Sequence, residues 1–157
     1  MSLKKIVKEI NNLEYDNEKM LTTEYAYLLN EKVTSNHIII LNYINDNVKV
    51  LTGEISTLLN ISASAVSQLL NRMEKMKLIK RLINPENRRE VIVKLDSYGK
   101  EYLKTSLKIE NSIIDRFYSK LSSDDLEDLK RIYEVLNRII KKEIDSRSEK
   151  ENDNEKE

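Results

Sequence analysis

Apolar and polar positions divide the segment 62–75 into two faces of different chemistry. Its apolar residues follow the spacing i, i+3, i+4 and i+7, which predicts an amphipathic helix with the buried stripe Val66, Leu69, Leu70 and Met73. Ser62 is a suitable N-cap, and the helix start that it defines suits a phosphate. The opposite face carries hydroxyl, amide and cationic groups, namely Ser64, Ser67, Gln68, Asn71, Arg72 and Lys75. Such a face can donate to phosphates and base edges, but an ordinary solvated face explains it equally well.

A second, short helix is predicted immediately before this segment. Thr52 is expected to cap it, and its buried positions are expected to be Ile55, Leu58 and Leu59. Only the three residues 60–62 separate the two helices. Two helices joined by so short a turn indicate a helix-turn-helix, whose second helix enters the major groove of DNA.

Two strand-like runs follow, over 78–83 and 90–95. The second run alternates between two sets of side chains, Val91, Val93 and Leu95 against Ile92 and Lys94. The turn between the runs contains the only proline of the chain, so the pair is predicted to be a hairpin. Arg88 and Arg89 lie near its tip. The hairpin is therefore predicted to be a wing whose arginines enter or flank the minor groove.

Helical spacing also covers the chain before the helix-turn-helix. One long helix or two consecutive helices are expected over 3–29. Thr34 or Ser35 is expected to cap the next helix. The buried side of that helix is expected to contain Ile38, Leu41 and Ile44, with help from Ile40 and Tyr43.

Two further helices are predicted after the hairpin. The first begins at Asp96 or Ser97 and runs to Leu121, and Ser122 or Ser123 caps the second. Apolar residues of the second are spaced 3, 4, 3 and 4, at Leu126, Leu129, Tyr133, Leu136 and Ile140. This spacing is the seam of a helix that meets another helix, and it predicts a homodimer. Packing of these helices on 3–29 within one chain is the alternative.

The composition fits a single, mainly α-helical domain. Of the 157 residues, 39% are hydrophobic and 34% are charged, with two glycines and one proline. No cysteine is present, which excludes disulfides and thiol-based redox sensing. No apolar run approaches the length of a membrane span, so a cytoplasmic protein without a membrane partner is expected.

Charge is distributed unevenly along the chain although the formal net charge is zero. The segment 62–94 holds eight basic residues and three acidic ones. The segment 143–157 holds seven acidic residues and three basic ones. The basic segment coincides with the predicted helix-turn-helix and wing, where a polyanion would lie.

The residues predict no catalytic, cofactor or metal site. There is no glycine-rich phosphate loop and no acid–base constellation, so an enzyme is not expected. His37 is the only histidine, and zinc ordinarily takes three or four protein ligands rich in His or Cys. A structural role is therefore expected for His37.

Three segments resemble, in order, the MarR (multiple antibiotic resistance regulator) family of transcriptional regulators. They are LTGEISTLLNIS, SAVSQLLNRMEKMKLIKR and NPENRREVIVKLDSYG. The wing in this family commonly carries an Asp-x-Arg pair and a Val-x-Leu-Thr ending. Here Arg89 matches the arginine, Asn87 stands where the acid is expected, and Asp96 replaces the threonine. An ion pair that would brace the wing arginine is therefore lost.

The resemblance implies a mainly α fold with a small β-hairpin wing. It places a winged helix-turn-helix over 34–96 between dimerisation helices over 1–33 and 97–145, in one domain, 1–145. A charged, disordered tail is expected over 146–157. The resemblance also implies release from DNA by a small aromatic effector. The tyrosines Tyr25, Tyr27, Tyr43, Tyr98 and Tyr102 would line the effector's pocket or belong to the core.

The expected function is that of a homodimeric repressor on an inverted-repeat DNA operator. Gln68 is the candidate for reading a base, and Ser64 and Ser67 for bases or phosphates. The candidates for phosphate contacts are Asn71, Arg72 and Lys75. Two alternatives stay open, a zinc-responsive regulator with ligands around His37 and a winged-helix module for protein contacts. In the second alternative Arg72, Arg88 and Arg89 would meet an acidic protein.

Overall fold

The computed structural model describes residues 2–28 and 32–154, with side chains through Arg147. It confirms a mainly α fold with a small antiparallel sheet. The helices are α1 (Leu3–Tyr25), α2 (Ser35–Asp46), α3 (Thr52–Leu59), α4 (Ala63–Lys75), α5 (Ser97–Arg116) and α6 (Ser123–Asn154). The strands are β1 (Val50–Leu51), β2 (Ile79–Ile83) and β3 (Val91–Leu95). The chain divides into two compact units, with the boundary in the sequence after Glu110.

The first unit contains a winged helix built on one apolar core. Its sheet has the order β1-β3-β2, with Val93 of β3 paired to both Val50 and Arg81. The apolar face of α4 packs into this core as its spacing predicts, with Val66, Leu69, Leu70 and Met73 all buried. The other fully buried apolar side chains are Ile40, Leu41, Val50, Ile55, Leu78, Ile79 and Val93.

The helix-turn-helix has the predicted three-residue connection but a different start. The N-cap of α3 is Leu51, whereas Thr52 was expected to cap it. The Glu54 carboxylate accepts the Leu51 N–H at 2.5 Å. Glu54 therefore satisfies the open backbone donor, and no hydroxyl cap is needed. Leu58, expected to be buried, is exposed, whereas Ile55 is fully buried. Asn60 ends α3 in the left-handed conformation with φ 50°, which asparagine tolerates.

The hairpin is confirmed, with each strand one residue shorter at its start than predicted. The alternation on β3 is incomplete because Ile92 is buried along with Val93. Ile92 is paired to Leu51 of β1 and Leu82 of β2. Because β3 is the central strand, Ile92 has an apolar side chain beside it on each neighbouring strand. These neighbours cover Ile92, although alternation along β3 alone predicts that it is exposed.

Gly99 docks the start of α5 on the turn that follows α4. The backbone N–H groups of Tyr98 and Gly99 donate to the Lys77 carbonyl at 3.1 and 3.3 Å. Lys77 itself is left-handed, with φ 57°. A Cβ atom at position 99 would lie 2.0 Å from the Leu78 carbonyl oxygen, so only glycine fits this approach.

The helix α5 is shorter than predicted. It ends at Arg116, and a 3-10 turn over Tyr118–Lys120 follows. Phe117 lies between the two, with φ −122° and ψ −59°, and the Leu121 N–H donates to Tyr118. The expected end at Leu121 was therefore wrong because the chain tightens into a 3-10 turn. Phe117 and Leu121, on either side of that turn, continue the apolar pattern of the helix.

The N-terminal segment is one helix, so the alternative of two consecutive helices is wrong. The pairs Asn11–Asn12 and Asp16–Asn17 do not interrupt α1, which ends in a 3-10 turn over Ala26–Leu28. Leu29 lies outside the described residues. Most apolar side chains of α1 are exposed, including Leu3, Ile6, Val7, Ile10 and Leu13.

The second unit consists mainly of α6. Ser122 is its cap, since its hydroxyl accepts the Asp125 N–H at 3.1 Å. The apolar residues of α6 are exposed along its length, at Leu129, Ile132, Tyr133, Val135, Leu136, Ile139, Ile140 and Ile144. The helix continues to Asn154, where disorder was expected, and 155–157 lie outside the described residues. Lys, Arg and Glu are good helix formers, so a charged composition does not end a helix.

Among the described residues, no helix combines the length and apolar character that crossing a membrane requires.

Candidate nucleic-acid interface

The exposed face of α4 brings together most of the predicted contact residues. Ser62 caps the helix, and its hydroxyl accepts the Ala65 N–H at 3.3 Å. The exposed side chains on the following four turns are Ser64, Ser67, Gln68, Asn71, Arg72 and Lys75. Ser64 also hydrogen-bonds Ser62 through the two hydroxyls at 3.1 Å. The face therefore presents mostly donors to a ligand, and it begins at a helix N-terminus.

The only acid on α4 is held against the wing. The Glu74 carboxylate accepts hydrogen bonds from Arg81 of β2, at 2.6 Å from Nη2 and 3.1 Å from the backbone nitrogen. These bonds hold the pKa of Glu74 below its ordinary value. The Nη2 atom of Arg81 also donates to Asn71 Oδ1 at 2.6 Å. Glu74 is thus neutralised, and Asn71 keeps its amide N–H₂ group as a donor.

The wing tip is closed by hydrogen bonds among its own side chains. Glu90 accepts from Asn84 Nδ2 at 2.7 Å and from Asn87 Nδ2 at 2.9 Å. Asn84 Oδ1 accepts the Glu86 N–H at 3.1 Å, and Asn87 Oδ1 accepts the Arg89 N–H at 3.2 Å. Asn87 therefore forms amide hydrogen bonds at the position where the family resemblance implies an acid and an ion pair.

Arg88 and Arg89 are exposed at this tip, as the sequence predicted. Within the described residues neither guanidinium forms an ion pair. The nearby Glu86 instead pairs with Lys49, before β1, at 3.2 Å. Two unpaired cations therefore project from the wing, and one of its acids is neutralised.

Sequence reasoning missed Asn84, Glu90 and the pair of Glu74 with Arg81. Asn84 is only 2% exposed, and a buried amide with both its groups hydrogen-bonded is a structural element. In many turns an asparagine side chain accepts the backbone N–H of the residue two positions further on, as Asn84 does from Glu86. This turn signal could have identified Asn84 from the sequence. Residues 74 and 81 lie on different elements, and nothing in the sequence indicates their contact.

A groove of about 460 Å³ lies between the helix-turn-helix and β2. Its polar groups come from Thr52, Ser56, Ser67 and Arg81. Apolar and small residues supply the remaining walls, among them Gly53, Leu82 and Ile83. Ser67 therefore belongs both to the exposed face of α4 and to this groove.

The tyrosines have different environments. Tyr25 and Tyr102 are buried, whereas Tyr27 is exposed. Burial raises the pKa of the Tyr102 hydroxyl. Tyr102 belongs to the apolar core of the winged helix, and Tyr43 and Tyr98 pack partly buried against that core.

His37 has the structural role expected of it. It lies in the first turn of α2, and its Nδ1 accepts the Thr34 N–H at 3.1 Å, as in a capping box. Burial lowers the pKa of His37, the Arg72 guanidinium lowers it further, and a backbone hydrogen bond with Lys32 raises it. The described residues hold no group of three or more His, Cys, Asp or Glu side chains suited to a metal ion.

This lowered pKa predicts that stability depends on pH through His37. Above its ordinary pKa of 6.5 the imidazole is neutral in both states. As the pH falls through that value, the unfolded chain takes up a proton first, so the free energy of unfolding decreases until the folded-state pKa is reached. His37→Gln keeps an acceptor suited to the capping box and should remove this decrease. Urea unfolding at pH 7.5 and 5.5 measures the free energy of unfolding of the natural protein and of the variant. An equal decrease in both proteins would contradict the assignment of the pH dependence to His37.

The comparisons with known proteins agree with this geometry. The family model described as the MarR family matches residues 32–90, which span α2 to the wing tip. Over these residues the chain matches the MarR family. The resemblance seen in the three sequence segments is thereby confirmed, and the family is one of transcriptional regulators. No curated protein sequence matches the chain.

Solved structures with low sequence identity share the whole MarR-type fold. The RV1404 protein of Mycobacterium tuberculosis has a TM-score of 0.73 at 19% identity, covering 88% of this chain and 94% of that one. The YusO protein of Bacillus subtilis has a TM-score of 0.66 at 20% identity, with coverage of 88% and 99%. AbsC, a MarR family transcriptional regulator of Streptomyces coelicolor, has a TM-score of 0.61 at 21% identity, covering 90% and 97%. Because these regions include the flanking helices, the similarity of fold extends beyond the winged helix.

Proposed function

We propose that this protein is a sequence-specific DNA-binding transcriptional regulator that acts in the cytoplasm and is not an enzyme. The observation that carries the proposal is the exposed face of α4, from which the only acid, Glu74, is withdrawn to Arg81. Hydroxyl, amide and cationic groups remain on that face, and the unpaired Arg88 and Arg89 lie on the wing. A solvated face needs no such removal of carboxylates, whereas a face for a polyanion does.

The proposal assigns a separate role to each part of this surface. Ser62 and the first amides of α4 contact a phosphate, and Gln68 reads a base, with adenine as the suited partner. Ser64 and Ser67 contact bases or phosphates, and Asn71, Arg72 and Lys75 contact phosphates. Arg88 and Arg89 enter or flank the minor groove.

The regulator is proposed to be a homodimer on an inverted-repeat operator. The apolar side chains of α1 and α6 that the single chain leaves exposed would be covered by the same helices of a second copy. Two copies of α4 would then enter successive major grooves about 34 to 36 Å apart.

Substitutions on α4 and on the wing are expected to have different effects on binding. Gln68→Ala should cost about 1 to 3 kcal/mol on the preferred sequence and little on random DNA, because base contacts carry the sequence preference. Arg88→Ala should weaken binding to all sequences and reduce the salt slope by about one. Fluorescence anisotropy at four salt concentrations measures both, and equal losses on operator and random DNA for Gln68→Ala would contradict this division.

We extend the proposal to repression that a small aromatic effector relieves. The groove beside Ser67 has a volume typical of small-molecule sites, and an occupant would contact the same face of α4 as DNA. A panel of aromatic carboxylates and phenols tests this by release of bound DNA. Retention of the complex with every compound of the panel would count against effector control of this kind.

The two alternatives have less support. The Nδ1 atom of His37 is occupied by the Thr34 N–H, which a zinc-responsive regulator would have to give up. A winged-helix module for protein contacts needs the cations Arg72, Arg88 and Arg89 but gives no reason for the amides of Gln68 and Asn71. Uniformly weak binding to all DNA duplexes would favour this second alternative.

A further inference from the structure

Two acidic residues lie in the wing turn, although a surface for DNA is expected to exclude them. Glu86 is neutralised by Lys49. Glu90 has no cation beside it among the described ion pairs, and both of its carboxylate oxygens accept from uncharged amides. A carboxylate so close to two wing arginines costs electrostatic attraction for DNA, which calls for a compensating role.

The hydrogen bonds around Glu90 fix the path of the whole turn. Asn84, at the end of β2, is buried and donates both its backbone N–H and its side-chain amide to Glu90, at 3.0 and 2.7 Å. The backbone carbonyl of Asn87 accepts the Glu90 N–H at 2.9 Å, and the Asn87 side-chain amide donates to the Glu90 carboxylate at 2.9 Å. The Oδ1 atom of Asn87 in turn accepts the Arg89 N–H at 3.2 Å. Glu90 is thus connected to the backbone of Arg89 through a single side chain.

We propose that Glu90 is a positioning residue for DNA binding, which acts through Asn87 on Arg89 and holds the wing tip in its binding conformation. This inference rests on the proposed function. A pre-ordered tip presents Arg88 and Arg89 to DNA without a further loss of conformational freedom on binding. Glu90 itself contacts no DNA. A carboxylate suits this position because each of its two oxygens accepts from one of the asparagine amides.

Charge alone predicts that a variant without the Glu90 carboxylate binds DNA more tightly, whereas the positioning role predicts weaker binding. Removing a carboxylate from a DNA-binding surface ordinarily strengthens binding, because repulsion of the phosphates is lost. Glu90→Gln removes the charge and keeps the size, but its amide N–H₂ group would face one of the asparagine donors. The variant should therefore bind operator and random DNA about tenfold more weakly, with the salt slope unchanged.

A double variant provides a matched rescue. In Asn87→Asp/Glu90→Gln the carboxylate introduced at position 87 can accept both the Arg89 N–H and the new amide at position 90. The amide oxygen at position 90 still accepts from Asn84. The turn regains every hydrogen bond with the net charge of the natural chain, and binding should return to within about twofold of it.

Glu86→Gln is the control for charge, since it removes an equal charge from the same turn and frees Lys49. It should bind DNA as tightly as the natural protein or more tightly. Tighter binding of both Glu86→Gln and Glu90→Gln would overturn the proposal and leave charge as the explanation. Weak binding that the double variant does not restore would also overturn it.

Hydrogen exchange of the DNA-free protein completes the test. The amides of Arg89 and Glu90 should lose protection in Glu90→Gln and regain it in the double variant, with the amides of α4 unchanged. Unchanged protection in Glu90→Gln would overturn the proposal independently of DNA. If the natural protein binds no DNA, the proposed function fails, and with it the positioning role, whereas the exchange pattern still shows whether Glu90 orders the turn.

Discussion

Gly99→Ala is expected to destabilise the protein by about 3 kcal/mol or more, at the upper end of the cost of overpacking a core. The added methyl group would lie 2.0 Å from the Leu78 carbonyl oxygen and 3.1 Å from the Leu41 side chain. A backbone carbonyl cannot rotate away as a flexible side chain can, so the start of α5 must lift from the turn at Lys77. The melting temperature should fall by about 6 to 12 °C.

The second glycine of the chain is the matched control. A Cβ atom at Gly53, in the first turn of α3, meets nothing within 4 Å. Gly53→Ala should therefore leave the free energy of unfolding unchanged or raise it by up to about 1 kcal/mol, because alanine favours a helix. Calorimetry on both variants measures the difference, and equal melting temperatures would contradict the docking of α5 described above.

Ile139→Glu is expected to dissociate the proposed homodimer. Ile139 is 53% exposed in the single chain, so the substitution should hardly change the stability of a monomer. In a dimer whose interface includes the apolar side chains of α6, the same change buries an unpaired carboxylate in each copy. This burial costs about 3 kcal/mol or more of the free energy of dimerisation. The dimer dissociation constant should therefore rise by at least about a hundredfold.

Lys141→Glu is the control, since it introduces the same side chain two residues further along, on the other side of α6. Sedimentation velocity at micromolar concentrations should show dimers of the natural chain and of Lys141→Glu, and monomers of Ile139→Glu. A monomeric natural chain, or a dimeric Ile139→Glu variant, would contradict the proposed interface.

Periodicity predicted the parts of the fold in which one face of an element is buried. The stripe Val66, Leu69, Leu70 and Met73 is buried as expected, and the connection 60–62 has the predicted length. Predictions failed where local chemistry has more than one solution. At α3 a carboxylate, Glu54, satisfies the donor for which a hydroxyl cap was expected, and beyond Arg116 a 3-10 turn continues the apolar pattern.

The sequence predicted which residues belong to the candidate interface, but it did not predict the contacts that arrange them. The composition of one helix face is enough to select Gln68 and its neighbours. The removal of Glu74 from that face depends on Arg81, seven residues away across a turn, and the order of the wing depends on the buried Asn84. Such contacts join different elements, so no spacing rule within one helix or strand shows them.

Binding of the purified protein to DNA from around its own gene, against random duplex of equal length, tests the central claim most directly. At physiological salt we expect a preference of about a thousandfold or more, saturating at two chains per site. Equal and weak binding to both duplexes would contradict a regulator that acts on its own gene.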